Sequence, residues 1–274
     1  MKKIINKMLS FGDQVSEKHT GAYAAQSAYF FMLSMIPIIL LLLTIVQFTP
    51  VTKADVMIAM VQVFPEENMQ DFMVGIVNEV YNQSRTVIPV TAVVALWSAG
   101  KGVLAISTGL NCVYRIRETR NYVYIRIRAS LYTVVFILAI VIALVLSVFG
   151  NSISIFINHR FPFLKDTTEF IMQMRTLVTF VVMTGISLLV YHFLPNKKLQ
   201  FRKLFPGAVF TALGWLAISF VFSMYLSIFR GFSGLYGSMT AIILVMLWLY
   251  FCMYVMLLGG LINSMLEERR NKME

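Results

Sequence analysis

The most restrictive feature of the sequence is a series of apolar runs, each long enough to cross a bilayer. About 20 apolar residues suffice for a transmembrane helix, and the chain carries several such runs. They cover residues 22–48, 87–114, 129–149, 174–193, 204–229 and 238–263. We therefore predict an all-α, polytopic integral membrane protein with six transmembrane helices, which form a single membrane domain over residues 1–274.

Composition supports this class and excludes several others. Hydrophobic residues make up 58% of the 274 residues and charged residues only 13%, a balance that is typical of membrane proteins. The two cysteines, Cys112 and Cys252, lie in apolar runs without a spacing partner, and the three histidines are far apart in the sequence. We therefore expect two reduced thiols, no disulfide, no metal site and no other cofactor.

The basic residues alternate between the two sides of the predicted membrane. Sixteen of the 23 lysines and arginines lie in the N-terminal segment, in the loops after the second and fourth runs, and in the C-terminal segment; five lie in the other loops. Lysine and arginine are enriched in cytoplasmic loops. The alternation therefore predicts that both termini are cytoplasmic, and the net charge of +10 indicates attraction to anionic membrane lipids.

Two segments outside the apolar runs have the pattern of short amphipathic helices. Residues 2–18 place apolar side chains at helical spacing, with lysines on the other side, which is typical of a helix on the membrane surface; the alternative is a solvated tail. In the first outer loop, residues 66–82 repeat apolar residues at helical spacing after Pro65. This second helix is expected to pack on the bundle or the membrane, with partner binding as the alternative.

Lys101 is a charge near the middle of the second run. On a helix it shares one small, polar side with Ser98 and Thr108. Because lipid does not solvate a charge, we expect Lys101 to face a polar pocket inside the bundle; the alternative is a lysine that snorkels or binds backbone carbonyls. The hypothetical substrate path comprises Lys101, Ser98, Thr108, Asn111, Gln26 and Ser34.

An arginine-rich segment follows the second run. Its basic residues are Arg115, Arg117, Arg120, Arg126 and Arg128. A cluster of this kind beside a membrane anchors the cytoplasmic side and is expected to contact anionic lipid headgroups. The segment lacks the glycines and aromatic spacing of an RNA-binding module, so we predict no nucleic-acid partner. Protein partners cannot be named from the sequence.

The chemistry that the sequence omits bears on function. It contains no complete phosphate-binding loop and no hydrolase or zinc-protease motif, and all 13 acidic residues lie outside the predicted spans. An enzyme is therefore a poor interpretation, and no catalytic residue is proposed. Two hypotheses remain: a transporter or flippase-like protein for an anionic lipid or amphiphile, and a non-transporting scaffold for envelope proteins.

Four stretches together resemble a known family. They are AYFFMLSMIP (28–37), LWSAGKGVLAISTGLNCVY (96–114), the Pro206-Gly207 pair, and YGSMTAIILVMLWLYFCMYVMLLGGLINS (236–264). Their order and spacing resemble the YihY/virulence factor BrkB family, bacterial inner-membrane proteins long labelled ribonuclease BN.

The resemblance implies six transmembrane helices in the bacterial cytoplasmic membrane, but no established activity. The ribonuclease label is regarded as a misassignment, and export of lipids or envelope components has been suggested for relatives. One position departs from the family pattern. Leu261 stands where the last span of the family commonly carries a glutamate, which puts in doubt any mechanism that needs that carboxylate.

Overall fold

The structure is a computed structural model that describes five stretches of the chain. These are residues 12–46, 87–135, 175–197, 199–228 and 238–271, and a few positions within 53–58 and 74–78 are also described. All regular structure in these stretches is helical. The helices are α1 (12–17), α2 (Thr20–Val46), α3 (Val87–Val113), α4 (122–135), α5 (Arg175–Phe193), α6 (Phe201–Ile228) and α7 (Ser238–Asn271).

The helices lie over the apolar runs, but four of them extend beyond the predicted limits. Helix α2 begins at Thr20 rather than 22. Helix α4 begins at residue 122 rather than 129, α6 begins at Phe201 rather than 204, and α7 continues from the predicted end at 263 to Asn271. Hydropathy identifies only the apolar part of a helix, which can lie in the hydrocarbon core of a membrane. Backbone hydrogen bonding continues through the polar residues at its ends, so the apolar runs were too short as helix limits.

Two helices in the described part of the chain are long and apolar enough to cross a membrane. They are Phe201–Tyr225 of α6 and Ile242–Asn271 of α7, with mean hydropathies of 1.8 and 2.4; Thr179–Phe193 of α5 is apolar but shorter. These lengths support a helical membrane protein. The number of spans is not fixed by them, and six remains a prediction.

The two predicted amphipathic helices lie mostly outside the described residues. Of the N-terminal segment, residues 12–17 are described and form α1. Of the outer segment 66–82, Val74, Gly75, Val77 and Asn78 are described, and all four are helical. Val77 is fully buried, so at this one apolar position the side chain packs against protein.

The chain divides into two compact units. The first contains Met1–Met32, Lys101–Ile127 and Arg175–Glu274, and the second contains Leu33–Gly100 and Arg128–Met174. Three of the boundaries between the units fall within helices, because α2, α3 and α4 each contribute residues to both units. The prediction of one membrane domain remains a prediction. The site described below lies entirely in the first unit.

In the first unit, α6 packs against both α5 and α7. Small residues make the contact with α7 possible. A Cβ atom on Gly207 would collide with the backbone carbonyl of Gly259, and one on Gly214 would collide with Val255. Small residues permit this close approach between helices, and the sequence marks this side of α6 through Gly207, Thr211 and Gly214.

A buried asparagine of α7 joins the backbone of α6 at its proline. The Asn263 side chain accepts a hydrogen bond from the Gly207 N–H (2.7 Å) and donates one to the Leu204 carbonyl (3.0 Å). Pro206 lies between these two residues and has no N–H to donate. The Asn263 amide therefore binds the backbone of α6 on both sides of the proline.

A second buried polar contact connects α5 with α6 and α7. The Tyr191 hydroxyl lies 2.6 Å from both the Thr211 hydroxyl and the Met256 carbonyl. Tyr191 is fully buried, and a buried hydroxyl is tolerated when hydrogen bonds satisfy it. These bonds fix the three helices to one another away from water.

Glycines of α3 bring two more helices close to it in the same unit. A Cβ atom on Gly102 would lie 3.1 Å from the Phe31 ring of α2. A Cβ atom on Gly109 would lie 2.9 Å from Tyr23 of α2 and 3.1 Å from Leu257 of α7. Helix α3 therefore packs against both α2 and α7 here, and the start of α2 is placed beside the C-terminal half of α3.

Candidate functional site

Helix α3 ends in a tight turn that directs the following loop back toward the helix. The Ile116 N–H binds the Asn111 carbonyl (2.8 Å) and the Arg115 N–H binds the Cys112 carbonyl (3.1 Å), which is the Schellman pattern of a helix C-terminus. Arg115 takes the left-handed conformation with φ of 54°, a position that glycine usually fills at lower cost. The arginine-rich loop therefore begins with a residue in a strained backbone conformation.

The last carbonyl of α3 is capped by two side chains. The Lys18 ammonium donates to the Val113 carbonyl at 2.6 Å, and the Ser264 hydroxyl donates to it at 3.2 Å. Lys18 is buried, and this burial, with the nearby Arg115 charge, lowers its pKa below the usual lysine range. A cation at a helix C-terminus is favourable, so Lys18 fastens the α1–α2 junction to the end of α3.

Beyond the turn, Glu118 is bound by four hydrogen bonds. The Arg120 guanidinium donates to both carboxylate oxygens, through Nε at 2.8 Å and a terminal nitrogen at 2.7 Å. The Asn111 side-chain amide donates at 2.8 Å and the Arg120 N–H at 3.1 Å. The hydrogen bond from Arg120 is the main reason that the pKa of Glu118 falls to about 2, so the carboxylate is ionised at neutral pH.

The loop that follows α5 holds this arrangement in place. The Asn196 N–H binds the Asn111 side-chain oxygen at 2.9 Å, and its side-chain nitrogen binds the Arg117 carbonyl (3.2 Å) and the Thr119 hydroxyl (2.9 Å). The Ser107 hydroxyl of α3 donates to the Leu194 carbonyl at 2.9 Å. The conformation of residues 115–120 is therefore set by contacts with both α3 and the α5–α6 connection.

Beside this network is an amphipathic cleft of about 240 Å³. It is lined by Tyr23, Leu104, Ser107, Thr108, Asn111, Cys112, Ile116, Glu118 and Ile125. Asn111 and Glu118 form a polar end near the terminus of α3. Leu104 lies about two helical turns further along α3, at 1.5 Å per residue. The cleft thus offers polar and charged groups at one end and apolar side chains at the other.

The predicted path residues separate into two groups. Thr108 and Asn111 line the cleft. Gln26 is exposed, Ser34 is buried and Ser98 is half-buried, and these three are not among the side chains that line it. A shared path through all six residues stays a prediction.

Lys101 is exposed on α3, and the expectation that it faces a polar pocket inside the bundle stays a prediction. Its ammonium is 5.5 Å from the centre of the Phe30 ring. An aromatic face attracts a cation at this distance, a kind of partner that the sequence argument did not consider. Whether Lys101 takes part in substrate passage stays a prediction.

The five predicted lipid-contact arginines also differ from one another. Arg115 and Arg117 are exposed, and Arg115 lies 3.7 Å from Glu268. Arg120 is bound to Glu118, and Arg126 is buried. Arg128 donates to the Tyr132 hydroxyl at 2.8 Å. Arg115 and Arg117 are therefore the exposed members of the cluster, and contact with lipid headgroups stays a prediction.

Sequence reasoning missed Glu118, Ser107 and Tyr23 as site residues. Glu118 was set aside with the other acids because it lies outside the apolar runs. A usable signal was present, since Glu118 is the one acid in the RIRETR segment that follows Asn111. Tyr23 and Ser107 carry no such signal, because their place depends on how α2 and the α5–α6 connection pack.

The sequence profile of the family described as virulence factor BrkB matches residues 11–274. A ribonuclease-like protein named YfkH, from Bacillus subtilis (strain 168), is 33% identical over 252 residues, which are 90% of each chain.

Two further relatives are named UPF0761 membrane proteins. That of Aliivibrio salmonicida (strain LFI1238) is 23% identical over 89% of this chain and 78% of its own. That of Idiomarina loihiensis is 25% identical over 60% of this chain and 56% of its own. No solved structure matches the chain. The profile covers nearly the whole sequence, and the chain is therefore a member of the YihY/BrkB family of membrane proteins.

Proposed function

We propose that this membrane protein binds and moves an amphiphile with an anionic headgroup, as a transporter or flippase-like protein of the bacterial cell envelope. The observation that carries the proposal is the amphipathic cleft next to the arginine-rich loop. The apolar end suits an acyl chain, and the polar end, with exposed Arg115 and Arg117 nearby, suits a phosphate or carboxylate headgroup.

A six-span topology with both termini in the cytoplasm is part of the proposal. Contacts in the first unit support it, because segments predicted to be cytoplasmic touch one another there. Lys18 binds Val113 at the end of α3, and Arg115 lies near Glu268 after the apolar part of α7. Asn196, in the connection between α5 and α6, binds the loop after α3. These contacts are expected if the four basic segments share one side of the membrane.

The cleft also explains why a membrane protein would place an acid and arginines so close together. Four hydrogen bonds keep Glu118 charged, so the polar end remains hydrophilic beside apolar residues. A headgroup at this end would lie near the exposed Arg115 and Arg117, while its chain contacts Leu104 and Ile125. Such a site lowers the barrier that a headgroup meets at a membrane.

The test is a lipid-scrambling assay with purified protein in vesicles of phosphatidylcholine and phosphatidylglycerol. The probe is a fluorescent phosphatidylglycerol in both leaflets, and dithionite quenches the outer leaflet. We expect the quenched fraction to rise above that of protein-free vesicles. Thr108→Trp, which fills the cleft, should return it to that level. Ser219→Trp, at an exposed position on α6, is the matched control and should remain active.

A non-transporting scaffold for envelope proteins is the alternative. Wild-type protein that inserts correctly but gives no movement of the anionic probe would favour it. If Thr108→Trp scrambled lipid as well as wild type, lipid movement would not depend on the cleft, and the cleft would not be the binding site. The ribonuclease-like name of YfkH belongs to that relative, and we do not extend it to this chain.

A further inference from the structure

The donors around Glu118 form a set that suits phosphate as well as carboxylate. A guanidinium that binds two oxygens in parallel recognises both groups with the same geometry. The Arg120 guanidinium does this here, while the Asn111 amide and the Arg120 N–H direct two further donors at the same carboxylate. This arrangement faces the polar end of the cleft, where the headgroup is placed by the proposed function.

The Glu118 carboxylate and the groups that donate to it, here called the receptor, differ in their exposure to solvent. The Glu118 side chain is 30% exposed, whereas that of Arg120 is 12% exposed. The carboxylate is thus on the open side and the guanidinium on the closed side. Glu118 lies in the loop between α3 and α4 rather than in a helix, so a rotation of its side chain alone would free the donors.

Contacts that do not involve Glu118 also hold the residues that donate to it. Asn196 holds the loop through the Arg117 carbonyl and the Thr119 hydroxyl, and it holds Asn111 through its own N–H. The Schellman turn fixes the loop to α3 independently. When Glu118 moves away, Asn111 keeps its bond to Asn196, and the Arg120 guanidinium keeps its 3.5 Å contact with the Leu194 carbonyl.

We propose that the Glu118 carboxylate occupies a phosphate-binding site and is displaced from it when a phosphate-bearing ligand enters the cleft. The inference rests on the proposed function for the location of the ligand. One anion replaces another, so Arg120 never loses its counter-charge. Glu118 passes to water beside the exposed Arg115 and Arg117. The same carboxylate lowers ligand affinity while it occupies the site, because the receptor is free in only a fraction of molecules.

The first experiment removes the Glu118 carboxylate and tests whether inorganic phosphate binds in its place. Glu118→Ala protein in a neutral detergent is heated with increasing inorganic phosphate, and with chloride at matched ionic strength. We expect its melting temperature to be below that of wild type and to rise with phosphate but not with chloride. Wild type should respond to phosphate little more than to chloride.

Glu267→Ala is the matched control for this experiment. Glu267 also faces a cation, Lys203 at 4.0 Å, and its side chain is 23% exposed. It lacks the guanidinium fork and the amide donor, so phosphate should not restore its melting temperature. Adding Arg120→Lys to Glu118→Ala should also abolish the response, because lysine keeps the charge but loses the two parallel donors.

A second experiment uses Glu118→Gln, which keeps the shape of the side chain and protects the test against misfolding of the alanine variant. Binding of dihexanoyl phosphatidic acid is measured by calorimetry, with dihexanoylglycerol as the ligand without phosphate. We expect Glu118→Gln to bind the phosphatidic acid about tenfold or more tightly than wild type. The neutral glutamine competes less well for the Arg120 and Asn111 donors, so these donors are free to bind phosphate in a larger fraction of molecules. Both proteins should bind dihexanoylglycerol much more weakly than the phosphatidic acid.

The outcomes separate the ligand sources and the two proposals. Tighter binding of phosphatidic acid than of inorganic phosphate assigns the site to a lipid headgroup, and equal binding assigns it to free phosphate. Equal or weaker binding by Glu118→Gln than by wild type, or a phosphate response shared by Glu267→Ala, overturns the displacement idea. If displacement of Glu118 is overturned but wild type still scrambles lipid, the proposed function stands. If phosphate displaces Glu118 but wild type does not scramble lipid, the protein is a phosphate-responsive membrane protein that moves no lipid.

Discussion

At the scale of single residues, Glu118 makes part of the stability of the protein depend on pH. Hydrogen bonds from Arg120 lower its pKa from 4.5 to about 2 in the folded state. A depressed carboxyl pKa stabilises the fold above the unfolded value, and this contribution is lost as pH falls toward the folded value. We expect the stabilising effect of Glu118 to be complete above about pH 5 and to disappear between there and pH 2.

This prediction is measured as the difference in melting temperature between wild type and Glu118→Gln at several pH values. The difference should be largest near neutral pH and should shrink below the ordinary carboxyl pKa. Glu267→Gln serves as the comparison, because its partner Lys203 makes a longer contact of 4.0 Å. A difference for Glu118→Gln that stays constant down to pH 3 would contradict the role of the ionised carboxylate.

Lys101 provides a second prediction at this scale. A charge at mid-membrane costs about 2.5–3.5 kcal/mol on insertion scales, so Lys101→Leu should insert and fold as well as wild type or better. If Lys101 serves passage of an anionic substrate, the same variant should lose scrambling activity. Lys101→Arg should keep part of it, because the charge survives while the shape changes. Full activity of Lys101→Leu would make the residue dispensable.

At the scale of helices, the contact between α6 and α7 depends on glycine. A Cβ atom on Gly207 would collide with the Gly259 carbonyl and with the Asn263 side chain. Because a backbone carbonyl cannot rotate away, Gly207→Ala should force the helices apart and cost about 1–3 kcal/mol, as overpacking does. The measurement is thermal unfolding in detergent.

Gly185 of α5 offers the matched control for this substitution. No atom lies within 4 Å of a Cβ added at Gly185. Gly185→Ala should therefore be neutral, or should stabilise the protein by up to about 1 kcal/mol through helix propensity. Similar losses for both variants would show that the effect comes from removing glycine in general and not from the α6–α7 contact.

The helices themselves are the part of the fold that sequence reasoning reaches best. Hydropathy places α2, α3, α5, α6 and α7 because each must present apolar side chains over most of its length. The small side of α6 also has a sequence signal. The polar contacts do not: Asn263 bonds to Gly207, 56 residues earlier, and Asn196 bonds to Asn111, 85 residues earlier. Such pairings depend on helix packing, which local sequence patterns do not encode.

At the scale of the whole molecule, the predicted topology can be tested directly. Reporter fusions after Lys198 and after Glu274 should read as cytoplasmic, and a fusion at Gln70 should read as external. The reason is the alternation of basic residues between loops. A cytoplasmic signal at Gln70 would contradict the six-span arrangement, whereas an external signal at Glu274 would contradict the placement of the C-terminus.

The bond between Asn263 and the start of α6 also bears on how the protein is made. Translation produces Leu204 and Gly207 well before Asn263, which lies 59 and 56 residues later in the chain. Until α7 has been synthesised, the backbone of α6 around Pro206 lacks the amide that binds it in the finished protein. A backbone group without a partner is costly in hydrocarbon. We therefore expect α6 to remain in contact with water or with the insertion machinery until α7 arrives, so that the two helices enter the bilayer as a pair.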